Sequence, residues 1–73
     1  MSTKEALDVG ALVVNERLGS VMVFMGEYAG RVHLRPVGGG RETTVSPNHV
    51  RPASPAEALS ARVAAANRRS RGG

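Results

Sequence analysis

Apolar residues between positions 9 and 52 come in short runs, each closed by a turn-forming residue. "VGALVVNE" is rich in β-branched residues and ends in "NERLG", a turn closed by Gly19. "SVMVFM" follows and stops at "GEYAG". "RVHLRPV" alternates, with Val32 and Leu34 inward and Arg31, His33 and Arg35 outward, as a half-buried strand requires. After three glycines, "RETTV" places Thr43 and Val45 on one face and Glu42 and Thr44 on the other. "SPNH" predicts a single tight turn, with Pro47 pre-setting φ. "VRP" predicts a very short fifth strand halted by Pro52.

Helical signals lie outside this region. "STKEAL" has Ser2 and Glu5 in capping-box spacing but is too short to stand alone. "SPAEALSARVAAANRRS" is the clear helix. Ser54 is its N-cap, Pro55 takes the first helical position and Glu57 completes a capping box. Ala56, Leu59, Val63 and Ala66 form one narrow apolar face, and Arg68 and Arg69 suit the negative end of the helix dipole.

Five short strands, the last entered through a one-turn bend, predict a small bent β-barrel. The order of elements and "VSPNHVRP" resemble the SH3-like barrel superfold, including its KOW and Tudor branches. The hairpin "LRP-x-GGG-x-E" and the exit "VRPA" resemble those of short actinobacterial proteins. That resemblance implies a bacterial cytosolic protein and supplies no activity. The expected architecture is mainly β: an N-terminal extension over 1–8, a five-stranded SH3-like barrel over 9–53, a C-terminal helix over 54–68 and a disordered basic tail over 69–73.

Composition narrows the function. Seventy-three residues, 41% of them hydrophobic, suffice for one small domain and are too apolar for full disorder. No cysteine is present, so neither disulfides nor thiolate-held metals brace the fold, and support from a partner chain becomes more plausible. No apolar run approaches the roughly 20 residues of a membrane span. "MSTKEALDVG" lacks the flank and centre of a signal peptide, which predicts a cytoplasmic location. The net charge is +4, of which residues 53–73 contribute +3. A basic end on a mildly basic body favours polyanions or acidic surfaces.

Catalytic and ligand chemistry find little purchase. A phosphate loop places its glycines between strand and helix and follows them with Lys-Ser/Thr. Gly38, Gly39 and Gly40 lie between two predicted strands without that sequel, so a hairpin loop explains them. His33 and His49 are the only neutral nitrogen ligands, too few for a metal site. No nucleophile sits beside a base, and Glu16, Glu27 and Glu42 fall in separate elements. The sequence therefore predicts no enzyme, no metal, no cofactor and no small-molecule substrate. Peptide grooves and methyl-cation cages need several aromatics, and here only Phe24 and Tyr28 occur. The terminal diglycine resembles that of ubiquitin-like modifiers, but a helix directly precedes it.

"VMVFM" is apolar at every position, so both faces of that strand want cover. Val21, Val23 and Met25 share one face; Met22 and Phe24 share the other. The helix stripe is too narrow and alanine-rich to cover the outer face alone. The expectation is a non-enzymatic protein-interaction module, a small regulator or accessory factor, that meets another protein or a second copy of itself through Met22, Phe24, Leu59 and Val63. The alternative is a nucleic-acid-binding module that holds phosphate backbone through Arg31, His33, Arg35, Arg41 and Arg51 with the terminal Arg68, Arg69 and Arg71.

Overall fold

A computed structural model describes residues 7–72, with side chains as far as Asn67. The helical turn expected of "STKEAL" lies almost wholly outside them. The chain is mainly β, with five strands: β1 (Leu12–Asn15), β2 (Ser20–Tyr28), β3 (Arg31–Pro36), β4 (Thr43–Val45) and β5 (Val50–Pro52). A 3-10 turn, Pro47–His49, links β4 to β5, and one helix, α1 (Pro55–Gly72), follows. The helix runs past the boundary expected at residue 68, through most of what was expected to be a disordered tail. No glycine or proline interrupts it before Gly72, so nothing ends it sooner.

The sheet order is β4-β3-β2-β1-β5, antiparallel throughout. It does not close into the expected barrel: β4 and β5 are its two edges and do not pair with each other. Each edge strand has only three residues, and β5 ends in Pro52, which limits further pairing along either edge. Every strand still contributes to one core: Val13, Met22, Phe24, Val32, Leu34, Val45 and Val50, with Leu7 packed against it. Val45 and Val50 stand on opposite edges yet reach the same cluster, so the sheet curls around it.

Met22 and Phe24 belong to this core and are only 6% and 4% exposed, so they are not the outward interface that the all-apolar strand suggested. The reason is register. Ala29 and Gly30 form a two-residue turn between β2 and β3, pairing Tyr28 with Arg31. An unbroken ladder from that turn would set Met25 opposite Leu34. Instead the register shifts between Phe24 and Gly26, a bulge that leaves Met25 unpaired and sets Phe24 opposite Leu34. A one-residue shift exchanges the two faces of a strand. Val21, Val23 and Met25 therefore become the opposite face and stay half-buried.

Two turns hold this register. Both Ala29 (φ 52°) and Gly30 (φ 76°) are left-handed, the conformation that suits the twist of a tight hairpin. At the other end of β2, Asn15 is buried, and its Oδ1 accepts the Arg17 N–H at 3.0 Å. Its main-chain oxygen accepts the Gly19 N–H at 2.7 Å, closing the turn before β2. The three-glycine segment lies between β3 and β4 with positive φ throughout, and the Gly39 N–H bonds the Pro36 oxygen at 3.1 Å. It is a hairpin loop.

Ala29 bears a left-handed strain that glycine would not. Ala29→Gly is expected to raise unfolding free energy by about 1 kcal/mol in urea melts. Phe24→Ala should cost about 3–5 kcal/mol in the same measurement, as a buried aromatic does.

Candidate interaction groove

The face of the sheet away from the core carries the site. Leu12 pairs with Val23, and Val14 pairs with both Val21 and Arg51, so these residues share a face. Val14 is buried although it lies outside the core cluster. The helix α1 leans on this face at β2 and meets the β3–β4 loop at its far end. A Cβ added to Gly38 would lie 3.2 Å from the Ala65 Cβ, tighter than ordinary contact, and φ there is +92°, so glycine suits both the close approach of loop and helix and the backbone.

The azimuth of α1 differs from the one its apolar stripe implied. Ala58, Ala61 and Ala65 turn toward the protein, while Leu59 (62% exposed) and Val63 (49% exposed) point outward with Ala66. The first turn dictates this. The Ser54 N–H donates to Glu57 Oε1 at 2.9 Å and the Glu57 N–H donates to Ser54 Oγ at 3.1 Å, the expected capping box. Arg51 on β5 grips the same carboxylate with two bonds, Nη1 to Oε1 at 3.0 Å and Nη2 to Oε2 at 2.8 Å. Its Nε lies 3.4 Å from Glu16 in the β1–β2 turn. Once Glu57 is held against β5, the residues one, four and eight positions later face the sheet. All three are alanines.

Beside this shallow contact lies an open groove of about 730 Å³. Its sheet side is formed by Leu18, Val21, Met22, Pro36 and Val37, and its helix side by Ala56, Glu57, Ser60, Ala61 and Ala64. Leu18 is 70% exposed at the rim. Among the described residues Glu57 is the only ionisable group in the lining, and Arg51 neutralises it. The groove is therefore apolar and carries no net charge.

The outward basic residues are differently placed. On β3, His33 Nδ1 lies 2.9 Å from Glu42 Oε2, and Arg35 Nη2 lies 3.6 Å from Glu42 Oε1. Arg31 donates to the Thr44 oxygen at 3.4 Å, and the Tyr28 ring meets His33 edge-on at 5.1 Å. Arg51 is committed to Glu57 and Glu16. Arg41 forms no ion pair among the described residues. The side chains of Arg68, Arg69 and Arg71 lie outside the described residues. The structure thus brings Arg31, His33 and Arg35 onto one strand face, but a carboxylate shares that face with them.

Of the four interface candidates, Leu59 and Val63 are at the surface, Met22 and Phe24 are in the core, with Met22 also bordering the groove, and the four do not form one patch. Sequence reading did not single out the groove residues Leu18, Pro36 and Val37. A leucine inside a turn and a valine just past a strand's proline were the available signals. Among the described residues, no three His, Asp or Glu side chains gather as a metal site would. Among them, too, no helix is long and apolar enough to cross a membrane. No known protein family, curated protein or solved structure matches the chain.

The Arg51–Glu57 latch is sensitive to acid. The Arg51 hydrogen bonds, then the Ser54 main-chain N–H, lower the Glu57 carboxyl from 4.5 to about 2. A depressed carboxyl stabilises the fold above its unfolded value and loses that contribution as pH falls through the folded one. The latch is therefore complete above about pH 4.5 and opens as pH approaches 2. Carbon NMR of the Glu57 carboxyl should place its midpoint near 2, and Arg51→Ala should move it toward 4.5. Salt should weaken the latch, since both partners are exposed.

Proposed function

We propose that the chain is a non-enzymatic protein-interaction module that receives an apolar segment of another protein in the groove between α1 and the sheet. The groove itself carries the reading: about 730 Å³ of unfilled, uncharged space with an exposed leucine at its rim. The strands beneath it are anchored by the core, so the sheet side is pre-formed, which lowers the ordering cost of binding. Ser20 and Ser60 are polar groups within the lining that suit the main chain of a bound segment. The strand order, with a 3-10 turn before the last strand, supports an SH3-like architecture in an open form. The contact surface then lies beside α1 rather than among aromatics.

The nucleic-acid alternative has less support. Phosphate binding needs cations free to replace counterions. His33 and Arg35 share Glu42, and Arg51 is spent on two glutamates.

Affinity capture from native lysate, with wild type beside Val37→Glu, tests the reading. Val37 is half-buried at the groove and outside the core cluster, so the variant should fold. The expected result is a protein that resists nuclease and about 0.5 M salt and is lost at least tenfold on Val37→Glu. Capture that vanishes with nuclease, or that Arg31→Ala and Arg41→Ala weaken while Val37→Glu does not, would overturn the reading in favour of nucleic acid.

A further inference from the structure

We infer that α1 is a place-holder on its own docking surface, and that the partner segment is an amphipathic helix that takes its seat. The inference rests on the groove reading and names its ligand. Only two large aliphatic side chains occur in α1, Leu59 and Val63, and both face outward. The face turned to the protein offers only the methyl groups of Ala58, Ala61 and Ala65. Beside it lie the half-buried Val21, the exposed Leu18 and a groove that the described residues leave unfilled, on the sheet face that Leu12 and Val23 share. The surface has more apolar area to cover than its present occupant covers.

What retains α1 is reversible. The Arg51–Glu57–Glu16 cluster is exposed to solvent, and the short link Ala53–Ser54 tethers the helix beside its seat. A helix held by tether and latch, without large buried side chains, opens at lower free energy than the sheet below it. A partner helix gains by filling what alanine leaves empty.

The geometry also sets the partner's pattern. The partner would carry large aliphatic residues where Ala58 and Ala61 now stand, at i and i+3: both are half-buried, and Ala61 lines the groove. A small residue is required at i+7, because Gly38 packs so near the Ala65 position that a Cβ built on that glycine would lie 3.2 Å from the Ala65 Cβ. An acidic residue at i−1 takes over Arg51 when Glu57 releases it. Helical rather than extended partners are favoured because the surface already accepts a helix, with Arg51 placed for a carboxylate in its first turn.

The test uses the full chain and a synthetic peptide of residues 54–72 carrying Ala58→Leu and Ala61→Leu. The peptide should shift the amide resonances of Val21 and Val37 while the protein's own α1 loses protection from hydrogen exchange. Glu57→Gln in the protein frees its own helix and should tighten peptide binding about tenfold. In the unliganded protein, α1 amides should exchange well before those of β2 and β3. The inference is overturned if α1 stays protected while the peptide binds, if Glu57→Gln weakens binding, or if the peptide does not bind. In each of those cases the groove reading survives so long as lysate capture is still lost on Val37→Glu. If capture is indifferent to Val37→Glu, the groove reading itself fails.

Discussion

The rest of the structure depends on the pairing of Phe24 with Leu34 across β2 and β3. Leu34 stands between the polar neighbours His33 and Arg35 and has only one side on which it can be buried, so it defines the inside of the sheet. Because β2 is apolar on both faces, its own side chains express no preference. The bulge at Met25 decides which of its two rows lies opposite Leu34. It sends Met22 and Phe24 into the core with Val13, Val32, Val45 and Val50, and it turns Val21 and Val23 toward the helix. Through that choice one strand supplies both the interior of the domain and the sheet wall of the groove.

The helix is seated by polar groups and small side chains rather than by its largest apolar ones. Glu57 belongs to a capping box and to an ion pair with β5 at once. That double commitment sets the rotation of α1 about its axis and brings an alanine row onto the sheet. Alanine against glycine, as at Ala65 and Gly38, permits a close approach and buries little area. The consequence is an apolar groove along the helix that the described residues leave unfilled. Its charge is neutral because Arg51 and Glu57 cancel. His33, Arg35 and Arg51 are held by carboxylates, whereas no such pairing occupies the apolar side chains of the groove.

Much of the architecture was legible in the residues. Turn formers and apolar runs located all five strands, and "SPAE" announced the start of the helix with its capping box. The glycine run read as a hairpin because strand-like runs flank it, and its positive φ values agree. The helix ends later than the terminal "SRGG" suggests, because no breaker precedes Gly72. The burial of Asn15 was not legible: it looks like an ordinary turn residue, and the bonds it makes to Arg17, Gly19 and the Met22 sulfur explain its position.

The sequence by itself determined the number, order and approximate bounds of the strands, the cap of the helix and the absence of cysteine chemistry, because these follow from neighbours within a few positions. Tertiary structure alone decided which face of β2 is inside, that the sheet stays open, which side of α1 meets it, and hence where the groove lies. Each of those depends on a relation between distant residues: Phe24 with Leu34 across a bulge, Arg51 with Glu57 across a chain turn, Gly38 with Ala65 across the molecule. An apolar strand with two equivalent faces holds no local record of such relations. Its inside is chosen only when its partner strand arrives.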